Sequence, residues 1–493
     1  MSETTTAQGS PATRSSGTSL KSHNSRSQLT SLSSHSSTIF EEKPAPLDLT
    51  ADIPDKKIRK PFRGIVYRIF IVYRFLFSLV GLLNLAALIS IFVIGVDRSW
   101  LSTMTAINLA LAVMMRQDFV INALYTVCCS VPKSWPLFIR RRCGKIYHFG
   151  GMHSSAAVCA GIWLMASNIA SLTCQVTPGA CAGTKLQQSV ATAIISRLLV
   201  GLFFFMFVFA YPTMRKRYHD LFERVHRFVG WTMLGLFWVE VVLSTNDTKP
   251  AGQSLGAACL RVPALWLLVL ATCCIASSWV FLRKVPVDAE VLSNHAVRLH
   301  FDYTVPVNGS FTRISRRPLV EWHSFATIPA PKPVDGRSKG YSLVVSNAGD
   351  WTKSAIMNPP THLWVRGVPT CGVMRIATLF RRVVVIATGS GIGPLLGHIQ
   401  DVSCPTQLIW STPNPEATFG KPLLDTIREK IPDAVIHDTK ILGRPDLVRM
   451  GYNLVRSFGA EAVIIIANEK ITKKVVYGLE TRGVPAYGAI WDS

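Results

Sequence analysis

Six long apolar runs dominate the first 60% of this chain, near 75–96, 101–125, 150–172, 190–212, 228–244 and 262–282. Each approaches the roughly 20 residues that a helix needs to cross a hydrocarbon core. The fifth is short and is expected to begin nearer His226. Hydrophobic residues make up 49% of the sequence and charged residues only 16%, which agrees with a membrane class. The net charge of +23 would suggest nucleic acid on a soluble protein. Here the basic residues cluster beside the apolar runs, so the expected partner is an anionic lipid surface, and a nucleic-acid role is set aside.

Flanking charges predict the orientation. Lys56, Lys57, Arg59, Lys60 and Arg63 precede the first run. Lys133, Arg140, Arg141, Arg142 and Lys145 lie between the second and third, and Arg215, Lys216, Arg217 and Arg224 between the fourth and fifth. Arg283 and Lys284 follow the sixth, whereas the alternate loops hold only Arg98, Lys185, Lys249 and Arg261. The positive-inside rule therefore predicts an integral, multi-pass protein with both termini cytosolic. Asn246-Asp247-Thr248, a glycosylation pattern, falls on the outer side. So do Cys174 and Cys181, which can pair or stay free. The eleven cysteines show no CxxC pair and no zinc spacing.

Residues 1–58 are rich in Ser and Thr and read as a disordered cytosolic tail, because they bury too little apolar surface to offset chain entropy. That tail reads either as a solvated leader or as a phosphorylation target. The absence of an apolar run near Met1 argues against a cleaved signal peptide. The bundle is expected over 59–284.

Beyond 285 the pattern changes. Alternating runs such as Ala296–Tyr303 and Tyr341–Ser346, broken by Pro- and Gly-rich turns, predict a small antiparallel barrel over 285–380. Val383–Ala387, Thr406–Trp410, Ala434–His437 and Ala462–Ala467 read as buried parallel strands of an α/β, Rossmann-like domain over 381–493. In Val383–Pro394 a β-run enters a glycine turn and a helix leaves it. Glycines there let backbone amides approach a pyrophosphate, and the helix N-terminus favours negative charge. Pro394 suits the first helical turn. The competing reading is a tight turn without ligand.

The segment Thr388-Gly389-Ser390-Gly391-Ile392-Gly393-Pro394 resembles the pyridine-nucleotide signature of the ferredoxin reductase and ferric reductase superfamily. Trp322-His323-Ser324-Phe325-Ala326-Thr327 is similar to that group's flavin motif. Gly349-Asp350-Trp351-Thr352 resembles its flavin-pyrophosphate segment, and Gly443-Arg444-Pro445-Asp446 its second nucleotide segment. The layout from 60 to the terminal Trp491-Asp492-Ser493 resembles that of fungal TmpA-type integral membrane proteins. Similar modules are fused to some fungal adenylate-forming enzymes. The resemblance implies a multidomain protein: the transmembrane bundle, an FAD-binding barrel and an NAD(P)-binding domain. It implies FAD oriented by His323, Ser324 and Phe325, with Thr327 beside them and Gly349 and Thr352 at the pyrophosphate. It implies a nicotinamide dinucleotide, NADPH or NADH, on Gly389 to Pro394, and Trp491 over the flavin ring or in ordinary packing.

The departures are specific. Ser324 stands where Pro is usual, and Ala326 where a hydroxyl would reach the flavin. The family's Cys-Gly-Pro appears as Ala467-Asn468-Glu469. No Arg follows the second strand at Trp410-Ser411-Thr412, so Arg444 or Lys421 is left to meet a 2′-phosphate. Members that move electrons across the membrane hold two haems on paired histidines thirteen or fourteen positions apart. Fourteen residues beyond His226 stands Glu240, and beyond His153 stands Ser167, so an outer haem site is not expected. An inner haem b between His153 (or His148) and His226 and a hydrogen-bonded histidine pocket both stay open. Arg116, Gln117 and Asp118 interrupt the second run and read either as joining those histidines in a polar pocket or as a helix-packing network. The functional expectation is an oxidoreductase passing electrons from NAD(P)H through FAD to a lipophilic metabolite or quinone. The alternative is a degenerate reductase retained as a membrane sensor or scaffold.

Overall fold

The computed structural model describes residues 48–57, 62, 71–95, 97–177, 188–333 and 336–489. In the helical half, α1 (Val72–Ile94), α2 (Arg98–Met114) and α3 (Asp118–Cys129) are followed by α4 (Gly150–Val176), α5 (Val190–Ala210), α6 (His219–Thr248) and α7 (Pro263–Val280). Among the described residues, five helical segments are long and apolar enough to cross a membrane: α1, Ile146–Val176, α5, α6 and α7. The α2–α3 pair passes the same criterion only across a 72° bend. The fifth predicted run begins seven residues before His226, at His219.

That bend corrects the expectation of one straight helix over 101–125. The side chain of Gln117 accepts from the Val120 amide and caps a new helix, so α3 leaves the bundle. Asn122 holds it on the C-terminal half: its amide donates to the Pro369 carbonyl at 3.0 Å and its carbonyl accepts from the Cys371 amide at 2.8 Å. Tyr125 then joins the core formed by Met374, Ile376 and Phe380. Hydropathy reads these residues as lipid-facing because it cannot distinguish a bilayer from a neighbouring protein surface.

Leu164, Leu199, Phe203, Met233, Phe237 and Leu268 form the central core of the bundle. Leu82, Leu83, Ile89, Phe92 and Val93 on α1 point outward and are largely exposed, as are Ile162 and Ile169 on α4 and Phe204 on α5.

The next segment forms two antiparallel sheets. Its strands are β1 (Arg283–Pro286), β2 (Asp288–Val291), β3 (Ala296–Phe301), β4 (Ser310–Ser315), β5 (His323–Ala326), β6 (Ile328–Ala330), β7 (Gly340–Ser346), β8 (His362–Val365) and β9 (Thr370–Cys371), with α8 (Asp350–Met357) between β7 and β8. One sheet runs β1-β8-β4-β5 with β9 on β4, the other β2-β3-β7-β6. Neither sheet closes on itself, in contrast to the barrel that the sequence predicts. Val297, Leu299, Ile314, Leu343, Val345 and Val365 fill the space between them.

The last segment is a parallel sheet of five strands in the order β12-β11-β10-β13-β14. These are β10 (Val383–Thr388), β11 (Thr406–Thr412), β12 (Val435–Asp438), β13 (Ala462–Ile466) and β14 (Ala486–Gly488), interleaved with α9 (Gly393–Gln400), α10 (Lys421–Lys430), α11 (Leu447–Phe458) and α12 (Glu469–Glu480). β13 and β10 as far as Ala387 are buried, as their continuous apolar runs require of a sheet covered on both faces. Strand order reverses between β10 and β13, the place where open α/β sheets bind ligands.

Residues 48–57 are held against this domain, although the sequence assigns them to a disordered tail. Asn453 donates to the carbonyls of Leu49 and Ala51, Arg482 donates to that of Pro54, and Leu49 and Ile53 pack on the α11 side of the sheet. Two apolar side chains and a set of backbone partners suffice to order this short segment, which composition averaged over 58 residues conceals.

Candidate functional site

The glycine turn sits at the carboxyl end of β10, where sequence and strand order both put it. Gly389 has φ +51, and a side chain added to it would meet nothing within 4 Å. Its conformation favours glycine, and its outward face is open. The indole of Trp410 donates to the Gly389 carbonyl at 3.0 Å and fixes the turn. Gly391 has a different reason for being glycine: a Cβ there would lie 2.2 Å from the Ile466 carbonyl. It is required by close packing against β13. Ser390 is exposed, Ile392 is a core residue, and Gly393 and Pro394 open α9.

Helix α9 abuts the strand that carries the flavin-like motif. A Cβ on Gly397 would lie 2.7 Å from the Thr327 carbonyl, so the helix that leaves the glycine turn packs directly on the end of the flavin-like motif. Along β5, His323 and Phe325 face Trp351, with ring centroids at 4.2 and 5.9 Å and near-parallel planes. Ser324 lies on the opposite, exposed side. Arg316 reaches over Trp351, and Arg366, held by burial at about 10, stacks on Trp322 at 5.1 Å.

Arg316 Nε, Trp351 Nε1 and His323 Nε2, and Trp322 Nε1 next to His323 in sequence, are buried without a hydrogen-bond partner, although Glu321 Oε2 lies 3.6 Å from His323 Nε2. Buried polar groups are ordinarily paired, and leaving one unpaired costs about 1–3 kcal/mol. The nitrogens of Arg316, His323 and Trp351, gathered on one side of β5 beside stacked rings, suit a flat heteroaromatic ligand that supplies acceptors, while Trp322 lies with Arg366.

Two predicted contacts are already engaged within the chain. The Thr352 hydroxyl accepts from the amides of Ala348 and Gly349 at 2.8 and 3.0 Å, and so caps α8. The Thr327 hydroxyl lies inside, on Ser310, at the junction where β5 gives way to β6 and the simple alternation of His323 and Phe325 ends. Neither is free to meet a pyrophosphate or a flavin ring as the resemblance implies. Trp491 lies outside the described residues. Arg444 is exposed beyond β12, while Lys421 pairs with Asp425 at 2.6 Å.

Across the turn, at the end of β13, the Asn468 side chain caps α12 and Glu469 begins it. Lys216, from the short helix Pro212–Arg217, donates to both Glu469 oxygens at 3.0 and 2.8 Å, and Lys473 donates to one of them. These hydrogen bonds, Lys216 first, lower the Glu469 carboxyl to about 2. Sequence reasoning reached Glu469 only as a departure from Cys-Gly-Pro and did not anticipate its partner from the helical half.

Within the bundle, the rings of His153 and His226 stand 6.2 Å apart, tilted by 37°. His153 Nδ1 lies 2.8 Å from the Ala112 carbonyl, an arrangement that turns the other ring nitrogen to a second partner. The positive charge of Arg116 acts on both rings. Asp118 does not join them. It pairs with Arg313 of β4 at 2.6 Å, because the bend at Gln117 swings it toward the sheets. The two rings therefore stand as a buried polar contact of the bundle beside Arg116. His148 stacks instead on Tyr147.

Residues 373–493 match the family model described as the C-terminal domain of adenylate-forming reductase 03009. Over 443 residues the chain is 47% identical to adenylate-forming reductase 03009 of Coprinopsis cinerea, covering 90% of this chain and 42% of that protein. Adenylate-forming reductase 06235 of the same fungus is 46% identical over 447 residues, again covering 90% of this chain and 42% of the relative. The chain is similar to part of these fungal adenylate-forming reductases. It spans about two fifths of the length of the curated relatives it matches. Among solved structures, the ferredoxin reductase in carbazole 1,9a-dioxygenase aligns with 42% of this chain and 69% of its own at 14% identity and TM-score 0.33. Ferredoxin-NADP+ reductase from Plasmodium falciparum aligns with 42% of this chain and 95% of its own at 12% identity and TM-score 0.32.

Proposed function

We propose that this chain is a membrane-bound flavoprotein that accepts hydride from NADPH or NADH and passes electrons on through FAD. The observation that carries the reading is the aromatic cluster of Arg316, His323, Phe325 and Trp351, in which Arg316 Nε and Trp351 Nε1 are buried without a hydrogen-bond partner, packed beside the helix that leaves an open glycine turn. His323 and Phe325 would orient the flavin ring and Arg316 would meet its acceptors. Gly389 and the start of α9 would hold the dinucleotide phosphates, with exposed Arg444 as the candidate for a 2′-phosphate. The flavin supplies the electron chemistry, while these side chains set its position and exclude water.

The outward leucines, isoleucines and phenylalanines of α1, α4 and α5 support a bilayer around the bundle, since so large an apolar surface is unfavourable in water. The basic loops support cytosolic termini, contact with anionic lipids and a TmpA-type layout. The acceptor, a lipophilic metabolite or quinone, would then lie at the inner leaflet. The ring pair His153–His226, with Arg116 beside it, would hold an inner haem.

The stacking of Trp351 on His323 favours a second reading, a nucleotide-sensing scaffold in which the chain's own indole fills the flavin position. An absorbance spectrum of the detergent-purified protein, taken before and after anaerobic NADPH or NADH, separates the readings. A bound flavin that bleaches supports the reductase. Protein that stays flavin-free when FAD is offered throughout purification supports the scaffold. A haem band that His226→Ala removes supports the inner haem, and its absence rules that haem out.

A further inference from the structure

The outer half of the bundle contains a cavity that the flavin reading does not use. It lies between α2, α4, α6 and α7 and is lined on its polar side by Arg98, Ser102, Thr105, Ser167, Glu240 and Ser244. Leucine, valine and phenylalanine side chains close the remainder. It offers about 30 Å³ to water centres, room for two or three waters at ~10–15 Å³ each.

Glu240 is the chemical centre of this space. Ser196 hydrogen-bonds its carboxyl group, and Asn168 donates to the Ser196 hydroxyl at 2.8 Å, which fixes the side chain. Glu240 Oε2 is buried and has no protein partner. Arg98 lies across the cavity and has its own carboxylate in Asp247, 3.6 Å away. Asp247 is further held by the Ser189 amide at 3.0 Å and the Thr192 hydroxyl at 2.7 Å. One cation therefore faces two carboxyl groups, and the better-bonded one is Asp247. The residues lining the cavity from α4 and α7 carry no charge. A second ionised carboxylate in this apolar setting would be costly, and protonation relieves it.

We infer that Glu240 and the cavity beside it form a hydrated proton-binding site in the outer half of the bundle. The proton comes from water and rests on Oε2, where waters held by Ser102, Ser167 and Ser244 complete its hydrogen bonding. This inference is independent of flavin and of nucleotide.

Infrared spectroscopy of the full-length protein in detergent, across a pH series, tests it. The wild type is expected to show the carbonyl stretch of a protonated carboxylic acid that shifts in D2O, and Glu240→Gln is expected to lose that band. Ser167→Leu, which fills the cavity and leaves the carboxyl in place, is expected to keep the band and lose its rapid exchange. No such band at any pH, a band that survives Glu240→Gln, or exchange that Ser167→Leu leaves as fast overturns the proposal. If Glu240→Gln does not fold, Glu240→Asp carries the same test. It is expected to move the band and its pH midpoint, and an unmoved band overturns the proposal.

Discussion

The carboxylate of Asp118 accepts a 2.6 Å hydrogen bond from the guanidinium of Arg313, 195 residues further along the chain. Its Oδ1 also accepts from the Thr370 hydroxyl at 2.9 Å, and Asp118 is only 3% exposed. This one side chain joins the break in the second apolar run to two strands of the first sheet. Asp118→Ala leaves Arg313 with its charge unmatched at that seam. The expected cost is about 3–5 kcal/mol. Thermal unfolding in detergent should register it as a lowered Tm, and an unchanged Tm would show that the seam does not depend on the pair.

The two glycines of the nucleotide turn should respond differently. Gly389→Ala strains a left-handed residue by roughly 1 kcal/mol and crowds the open face. It should weaken dinucleotide binding while the protein stays folded. Gly391→Val drives a side chain into the Ile466 carbonyl and should lower Tm itself. Isothermal titration paired with a melting curve distinguishes them, and equal losses of stability would refute the distinction.

Acid should weaken the Lys216–Glu469 contact over a defined window. The folded carboxyl sits at about 2, against 4.5 for an ordinary glutamate. A depressed folded value stabilises above 4.5, and that contribution is lost as pH falls through 2. The pair is partly exposed, so salt should screen it. Unfolding of wild type and Glu469→Gln, compared from pH 5 to about 2 at low salt, should converge toward the acid end. Parallel curves would count against the assignment.

His398 predicts a second pH effect at higher pH. Buried in α9, with Nε2 2.8 Å from the Thr406 hydroxyl, it is pushed by desolvation to about 4 from an ordinary 6.5. The folded state holds it neutral while the unfolded state binds a proton below 6.5. Stability should therefore fall from pH 6.5 toward 4, by up to about 3 kcal/mol. His398→Gln should flatten that slope in chemical unfolding, and an equal slope would place the sensitivity elsewhere.

A periodicity of apolar runs and a β-run leading into glycines were legible in the sequence, because each depends on neighbouring residues alone. The apolar runs near 150–172, 190–212 and 262–282 and the four strand runs beginning at Val383, Thr406, Ala434 and Ala462 meet helices and strands of the structure, while Ala486–Gly488 had no such signal. The position of Gly389 at the strand end was legible too, since a parallel strand entering a helix demands a tight turn there. Contacts between distant segments were not legible. Asp118 looked like an intramembrane charge until the Gln117 cap turned it toward Arg313. Gly391 looked like a phosphate contact until Ile466 lay against it. The alternation of β5 alone could not show that Thr327 turns inward onto Ser310, or that Trp351 lies on His323. Local pattern sets what each segment can become, because hydrogen bonding and hydrophobic period act over a few residues. Which side chains meet is decided by packing between segments hundreds of residues apart, and that information exists only in the folded chain.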